Sequence, residues 1–428
     1  MRNDLIEIEF AEKIRDIGSL HAKYMKSSIS LIASDNLLSP LARELLISDF
    51  GSRYGEGHPG NTFTNEVESI TNDLGQRLFK TKLLNTRPIS GTNANQAVLF
   101  ALSKPGQTVA ALSELNGGHA SSTTDGAVGM RGLETIELPY DIDEMNIDVD
   151  GAIKLIRTSK PHLVLLGQSV FLFPIPLKEL GDALQEAGSW VWYDGAHVMG
   201  LIAGNIFQDP LSEGADFVTG STHKTFPGPQ RGLILGGKRL EEKWESINSA
   251  VFPGVLANYH LNTLASLGIT FAEELKFGQS YAQQIVKNAF KLGNTLHDLG
   301  AKILGEKNGF TKSHTLLIDV GKYGGGISAA SRLERAMIFV NPYVLPYDQT
   351  LNMEKAGGIR LGVQEMTRIG MKESEMVEIA DLIVKVLEGK SPLEEIKNRV
   401  REVKTKFHEV EYCFDRDVDA YDYIRLSS

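Results

Sequence analysis

The sequence has little of what marks secreted and membrane proteins. It contains one cysteine, Cys413, so an intrachain disulfide is impossible and nothing indicates an oxidising compartment. The most apolar stretch, 163–177, is interrupted by a glutamine and two prolines and is shorter than the roughly 20 residues of a membrane span. The first four residues lack the apolar core of a signal peptide, so we expect a cytoplasmic protein without a membrane partner.

An excess of positive charge is also missing. The formal net charge is −10 and the isoelectric point is near 5.6, which makes nucleic acid an unfavourable partner for the protein as a whole. Apolar residues make up 42% and charged residues 23% of the chain, the balance of an ordinary globular protein. At roughly 100–200 residues per domain, a chain of 428 residues is expected to form two or three domains.

The first part of the chain alternates short apolar runs with helical patterns. The apolar runs lie at 108–112, 163–167, 190–193, 216–219 and 233–236. The helical patterns include 63–78, 94–102 and 177–187. This alternation predicts an α/β fold with a mostly parallel sheet covered by helices on both faces.

The pattern changes at about residue 262. Long amphipathic helices are predicted at 262–299, 327–336 and 371–388, with strands at 301–304, 315–320 and 358–362. We therefore predict an N-terminal helical arm (1–30), a large α/β domain (31–261), and a long connecting helix with a smaller α+β C-terminal domain (262–428).

An acidic residue ends one of the predicted buried strands. Residues 190–193 are apolar, Asp194 follows directly, and His197 comes three residues later. Ligands of parallel α/β sheets bind at the carboxyl ends of the strands, so Asp194 is predicted to face a ligand. An equally good interpretation of these residues alone is that Asp194 caps the next turn and His197 packs in the interior.

A lysine follows the next predicted strand. Lys224 lies between Thr222-His223 and Thr225, 30 residues after Asp194, whereas a lysine taken at random is usually a surface cation. Pyridoxal 5′-phosphate (PLP) chemistry requires a lysine that forms a Schiff base with the cofactor and an acid that keeps the pyridine nitrogen protonated. Lys224 and Asp194 together therefore predict a PLP site.

The phosphate of such a cofactor needs backbone N–H donors at the start of a helix. Ser90, Gly91 and Thr92 come just before a predicted helix, although a segment of this kind is by itself more often only a cap. His119 follows two glycines and is placed to stack on a pyridine ring; taken alone, it would be an exposed loop histidine.

Arg360 lies in the short apolar strand predicted at 358–362. A buried arginine needs a partner, which is either a protein acid or a ligand carboxylate. We favour the carboxylate of an amino acid, because a guanidinium binds both carboxylate oxygens and a site between two domains suits a small ligand.

From one end to the other, the sequence resembles the serine hydroxymethyltransferases. The matching stretches are 31–36, 54–57, 90–92, 117–119, 194–197, 222–225, 252–254 and 358–362. The wording STHKTFPGPQ at 221–230, and the tail helix predicted from Met371 with Glu373 and Glu375 in its first turns, are most similar to the archaeal branch. The resemblance implies the fold-type I PLP-dependent transferase architecture and a homodimer with shared active sites.

The resemblance also implies cofactor-binding roles for individual residues. These are Lys224 as the Schiff-base lysine, Asp194 at the pyridine nitrogen, His119 as the stacking ring, His197 near the ring hydroxyl, Ser90, Gly91 and Thr92 at the phosphate, and Gly254 at the phosphate across the dimer.

Substrate and catalytic roles are implied in the same way. They are Ser34 and Arg360 at the substrate carboxylate, Tyr54 as an aromatic residue from the partner subunit, Thr222 and His223 as helpers beside the lysine, and Glu56 as the acid that handles protons. The implied reaction interconverts serine and glycine, with a reduced pterin (tetrahydrofolate or tetrahydromethanopterin) as cosubstrate. No metal ligand is assigned.

Three departures from the family pattern bear on activity. The segment after Gly60 is several residues short and lacks the tyrosine usual there. Arg231 replaces a glycine, and Gly357 and Val363 replace the residues that usually flank the 358–362 strand.

The altered loop keeps two other interpretations open. One is a PLP-dependent aldolase or α-methylserine-type transferase that acts on β-hydroxy amino acids without normal pterin use. The other is a PLP-binding homologue without catalytic activity, although the joint presence of the lysine and the acids argues against it.

Overall fold

The computed structural model describes residues 2–55, 58–415 and 418–426, with the side chains of 2–5 left aside. The strands are β1 (Ile29–Ser30), β2 (Leu83–Asn85), β3 (Thr108–Ala111), β4 (Glu134–Glu137), β5 (Tyr140–Asp141), β6 (Asn146–Ile147), β7 (Leu163–Gly167), β8 (Trp190–Asp194), β9 (Phe217–Ser221), β10 (Gly232–Gly236), β11 (Lys302–Ile303), β12 (Thr315–Asp319), β13 (Ile338–Phe339), β14 (Asn341–Tyr343) and β15 (Gly358–Gly362).

The α-helices are α1 (Arg2–Lys26), α2 (Pro40–Leu46), α3 (Thr62–Phe79), α4 (Gly91–Leu102), α5 (Ala127–Met130), α6 (Val149–Ser159), α7 (Leu177–Ala187), α8 (Met199–Ala203), α9 (Pro210–Glu213), α10 (Trp244–Ser249), α11 (Leu261–Asp298), α12 (Gly326–Arg335), α13 (Gln364–Arg368), α14 (Glu373–Glu388) and α15 (Leu393–Lys404). Short 3-10 helices lie at Asp49–Ser52, Ala120–Ser122, Lys238–Lys243, Glu306–Asn308, Gly321–Tyr323 and Met353–Lys355.

A seven-stranded sheet forms the centre of the first part of the chain. Its order is β2-β10-β9-β8-β7-β3-β4, and the five strands from β9 to β4 are parallel, whereas β10 is antiparallel to both of its neighbours. The predicted mostly parallel sheet is thereby confirmed. Its central strands are buried on both faces, which is why they appear in the sequence as continuous apolar runs.

Two strands of this sheet were missed in the sequence. The edge strand β4 reads ETIE and is mostly exposed, so it carries no apolar run, and β2 has only three residues. The core covers both faces of the sheet. On one face the ring of Trp192 stacks on Phe217 at 5.8 Å, and on the other Tyr193 stacks on Phe171 at 5.9 Å.

The second large sheet of the fold is antiparallel and has four strands in the order β11-β12-β15-β14. The 38-residue helix α11 leads into it from the first part of the chain. The segment before residue 34 lies beside this sheet: β1 pairs with β13 in a separate two-stranded sheet, and the backbone N–H of Gly362 at the end of β15 donates to the carbonyl of Leu31 at 2.8 Å. The strand β15, which carries the carboxylate-binding candidate Arg360, is thus attached to the segment that leads to Ser34.

Candidate active site

The carboxyl ends of β7, β8 and β9 and the start of α4 surround a cavity of about 210 Å³. Its wall consists of Ser90, Gly91, Thr92, Asn95, His119, Ser121, Gln168, Ser169, Asp194, Ala196, His197, Ser221, His223 and Lys224. Residues from distant parts of the sequence meet here because parallel strands end at the same edge of the sheet.

Asp194 is held by hydrogen bonds to both of its carboxylate oxygens. Oδ2 accepts from Nδ2 of Asn95 at 2.9 Å, and Oδ1 accepts from the backbone N–H of Ala196 at 3.0 Å. The second bond is the turn cap that the sequence left open as an alternative. The same carboxylate also lines the cavity, so its role as a cap does not prevent a contact with a ligand.

Lys224 follows β9 and lines the cavity together with Asp194. Burial lowers the pKa of its amine to about 8, although the negative charge of Asp194 opposes this shift. Its backbone carbonyl accepts a hydrogen bond of 2.6 Å from Nδ2 of Asn36, which fixes the loop that carries it. A larger fraction of this amine than of an exposed one is therefore neutral and nucleophilic at physiological pH.

The histidines of the cavity are uncharged near neutral pH. Burial lowers the pKa of His119, lowers that of His223 to about 4, and holds that of His197 well below its ordinary value. Nδ1 of His119 accepts from the backbone N–H of Ser121 at 3.1 Å, so the ring is held and not free in a loop. His197 stacks on the fully buried His314 at 6.0 Å.

The candidate phosphate segment forms the first turn of α4. The helix begins at Gly91, three residues earlier than the sequence indicated, because the hydroxyl of Ser90 caps it by accepting from the N–H of Asn93 at 3.1 Å. A Cβ atom on Gly91 would lie 2.5 Å from Oγ of Ser221, so a larger residue would displace this hydroxyl. The unpaired N–H groups of the first turn point out of the helix start, where an anion binds.

Arg360 is 9% exposed and has two neutral hydrogen-bond partners. Its Nη1 donates to the carbonyl of Ser169 and its Nη2 to Oδ1 of Asn341, both at 3.0 Å, and its guanidinium lies 5.3 Å from the ring centre of Tyr343. Nε has no partner, and within the described part of the chain both hydrogen-bond acceptors of the guanidinium are neutral. The guanidinium therefore keeps donors for a ligand carboxylate.

Several predicted site residues do not line this cavity. Ser34 lines a neighbouring cavity of about 590 Å³ between α1, 34–38, 228–230 and 421–423, which shares only His223 with the first one. The hydroxyl of Thr222 donates to the carbonyl of Pro229 and accepts from the N–H of Arg231, so it stabilises a turn.

The residues implied to act across a dimer are also outside the cavity of their own chain. Tyr54 is 56% exposed and packs on His58 at 5.4 Å between ring centres. Gly254 lies in the irregular turn Ala250–Val255 and does not line the cavity. Glu56 lies outside the described residues.

Buried polar atoms without a partner surround the cavity. They include Oδ1 of Asn95, Nε2 of Gln168, and Nδ1 of both His197 and His223. Each such atom costs about 1–3 kcal/mol when it stays unpaired. A polar ligand satisfies them, and the amine of Lys224, an acid and an anion-binding helix start are the groups that PLP requires. The residues present therefore fit this cofactor.

Asn95 and Gln168 were missed in the sequence, as was His314, whose Nε2 donates to the carbonyl of Ala33, next to Ser34, at 3.3 Å. Asn95 lies four residues after Gly91 and therefore on the same face of α4, which is the one signal that pointed to it. The departure at Arg231 is accommodated by the fold: the side chain is fully buried and donates to the carbonyls of Thr86 and Tyr259, both at 2.7 Å.

Comparisons with known proteins agree with this geometry. The family model described as "Serine hydroxymethyltransferase" matches residues 9–383. The serine hydroxymethyltransferase of Picrophilus torridus is 50% identical over 419 residues, covering 96% of both chains, and that of Thermoplasma volcanium is 52% identical over 422 residues, covering 97% of this chain and 99% of the relative. The chain belongs to the serine hydroxymethyltransferase family.

A solved structure extends the likeness to the fold. The crystal structure of L-threonine transaldolase from Pseudomonas fluorescens in its internal aldimine state is 31% identical, has a TM-score of 0.87, and covers 97% of this chain and 96% of its own. The predicted fold-type I architecture and the prediction of a PLP-dependent enzyme of this family are confirmed. Across the described residues, no helix combines the length and the apolar character needed to cross a bilayer.

Proposed function

We propose that the protein is a serine hydroxymethyltransferase that transfers the hydroxymethyl carbon of serine to a reduced pterin, tetrahydrofolate or tetrahydromethanopterin, and releases glycine. The observation that carries this proposal is one cavity lined by Lys224, by Asp194 and by the start of α4. About half of all residues are identical to those of archaeal serine hydroxymethyltransferases along nearly the whole chain.

PLP, when bound, supplies an electron-accepting ring for the charge that remains when a bond to the substrate α-carbon breaks. Lys224 would hold the cofactor covalently, Asp194 would keep a proton on its pyridine nitrogen, and the first turn of α4 would bind its phosphate. The hydrogen bonds from Asn95 and Ala196 fix the orientation of the Asp194 carboxylate for this role. His119 and His197, both neutral, would contact the ring without adding positive charge.

Arg360 would bind the carboxylate of serine, assisted by Ser34. The support is the buried guanidinium with an unpaired Nε and no acidic partner among the described residues. The hydrogen bonds to Asn341 and to the carbonyl of Ser169 hold the planar guanidinium of Arg360 in one orientation. We assign proton transfer during the one-carbon step to Glu56, with Thr222 and His223 beside the lysine; the hydroxyl of Thr222 would act through the turn it stabilises.

We further propose a homodimer whose subunits complete each other's sites. Tyr54 and Gly254 do not line the cavity of their own chain, which is consistent with supply to a partner. The helix α1 exposes a set of apolar side chains that a monomer would leave in water: Ile6, Ile8, Phe10, Ile14, Ile17 and Leu20.

One observation favours a second candidate function. The solved relative is named as an L-threonine transaldolase, and this chain lacks the tyrosine usual after Gly60. An enzyme that cleaves β-hydroxy amino acids without pterin would keep the same lysine and acid and differ at the partner-facing loop.

Glycine formation from serine by the PLP-loaded protein, with each pterin and without pterin, separates the two candidates. Pterin-dependent glycine supports the hydroxymethyltransferase and identifies its carrier. Pterin-independent cleavage of threonine at a rate equal to or above that of serine supports the second candidate and contradicts the first. Lys224→Ala is the control, because it should remove both the visible cofactor absorbance and all turnover.

A further inference from the structure

Gln168 is a buried polar residue to which neither the family resemblance nor the reaction above gives a role. It directly follows β7, is 5% exposed, and forms part of the cavity wall. Its side-chain nitrogen Nε2 has no hydrogen-bond partner. A buried amide without a partner is unfavourable, so either the residue only fills space in the interior or a ligand accepts the missing hydrogen bond.

The backbone around Gln168 is tightly specified. Gly167 pairs in register with Asp194 on the neighbouring strand, and a Cβ atom on Gly167 would lie 2.6 Å from Cβ of Asp194. The N–H of Ser169 donates to the carbonyl of Gly117 at 2.7 Å. Gln168 is thus held beside the acid on one side and beside the loop of His119 on the other.

The order of the strands shows which edge of the cofactor Gln168 faces. The start of α4 lies against β9, since Gly91 approaches Ser221 at its end. Lys224 follows β9, Asp194 ends β8, and Gln168 follows β7 on the far side of β8. In PLP the phosphate arm and the hydroxyl flank the carbon that bonds to the lysine, on opposite sides. A phosphate at α4 therefore places the hydroxyl toward β7.

We propose that Gln168 is a further cofactor-binding residue, whose side-chain amide donates a hydrogen bond to the ring hydroxyl oxygen of PLP. This inference rests on the proposed function, because it needs PLP at Lys224. The amide is neutral and its donor capacity does not depend on pH, so it can stabilise the ionised form of that oxygen. The residue would share this edge of the ring with His197.

Gln168→Leu tests the proposal, because leucine fills a similar volume without a donor. We expect PLP affinity to fall by about 10- to 150-fold, as for the loss of one hydrogen bond to a charged group. The visible absorbance of the bound cofactor should also change its pH dependence, since the ionised oxygen loses a donor. Gln185→Leu, an exposed glutamine on α7, is the matched control and should change neither quantity.

Melting temperatures of the PLP-free and PLP-loaded forms separate ligand binding from packing. Because Nε2 has no partner in the protein itself, Gln168→Leu should leave the PLP-free form as stable as the wild type or more so, and should reduce only the gain in melting temperature on adding PLP. A lower melting temperature of the PLP-free variant together with an unchanged gain would assign the residue to packing and overturn the proposal.

The remaining outcomes are equally decisive. A higher Michaelis constant for serine with unchanged PLP affinity and absorbance would place the amide on the substrate and overturn the contact to PLP. A wild-type protein that shows no PLP-dependent visible absorbance would overturn both the proposed function and this inference. If the wild type shows this absorbance and Gln168→Leu has the same PLP affinity and the same pH dependence as the wild type, the inference is overturned and the proposed function is not.

Discussion

The reaction of PLP with the PLP-free protein should depend on pH with a midpoint near 8. Only the neutral amine of Lys224 attacks the cofactor, and burial in the cavity lowers its pKa from 10.5 to about 8. At pH 7 about one tenth of such an amine is neutral, against about three in ten thousand for a lysine with the ordinary pKa. The structure therefore predicts capture of PLP that is roughly 300-fold faster at pH 7 than an exposed lysine would allow.

The rate of appearance of the visible cofactor absorbance after rapid mixing, measured from pH 6 to 10, checks this prediction. The rate should rise about tenfold per pH unit at low pH and level off above about 8. Asp194→Asn should move the midpoint to lower pH, since the charge of Asp194 opposes the shift. A midpoint near 10.5 in the wild type, or a midpoint that rises in Asp194→Asn, would refute the argument from burial.

Substitutions at three further positions have expected outcomes. Arg360→Ala should raise the Michaelis constant for serine by about 100-fold or more while PLP affinity stays within about twofold; an unchanged constant contradicts the carboxylate role. His314 donates from Nε2 to the carbonyl of Ala33 at 3.3 Å, and glutamine keeps a donor of this kind whereas phenylalanine does not. The Michaelis constant for serine should therefore be lower in His314→Gln than in His314→Phe. The reverse order would show that only the packing of the ring matters. Burial raises the pKa of Glu274 from 4.5 to about 8. Between these two pH values the folded state keeps the proton of Glu274, whereas the unfolded state has lost it. This group therefore lowers the free energy of unfolding as pH rises from 4.5 to 8. Urea unfolding should therefore find Glu274→Gln more stable than the wild type by up to about 3 kcal/mol at pH 7 and by little at pH 4.5; an equal difference at both pH values contradicts this.

The strands and helices with strong patterns were predictable from the sequence to within a few residues. The runs 163–167 and 358–362 match β7 and β15, and 177–187 matches α7, which ends at Gly188 with φ of 69°. These elements have long apolar runs or a clear period and well-defined ends. The predicted strand at 301–304 contains the two-residue strand β11, but the edge strand β4 and the short strands β1, β5, β6 and β13 could not be found, because their residues are held by neighbours that only the folded chain provides.

The candidate site was predictable where chemistry restricts the residue type. Lys224, Asp194 and Arg360 are each unusual at the end or in the middle of an apolar strand, and the structure buries Arg360 and leaves Lys224 and Asp194 half-buried in the cavity wall. Gln168 carried no such signal, since a glutamine after a strand is ordinary in a turn. Its unpaired amide became visible only when β7 was placed beside β8.

By itself, the sequence determined the class of the protein: an α/β enzyme of this family with a lysine and an acid at two neighbouring strand ends. Apolar periodicity and residue chemistry are local properties, so they are written along the chain. The tertiary structure decided which polar groups share the cavity, that Thr222 stabilises a turn, and that Arg360 has no acidic partner among the described residues. Burial and the pairing of donors with acceptors depend on segments more than 100 residues apart, such as Asn36 and the carbonyl of Lys224. Such pairings arise only when the chain packs.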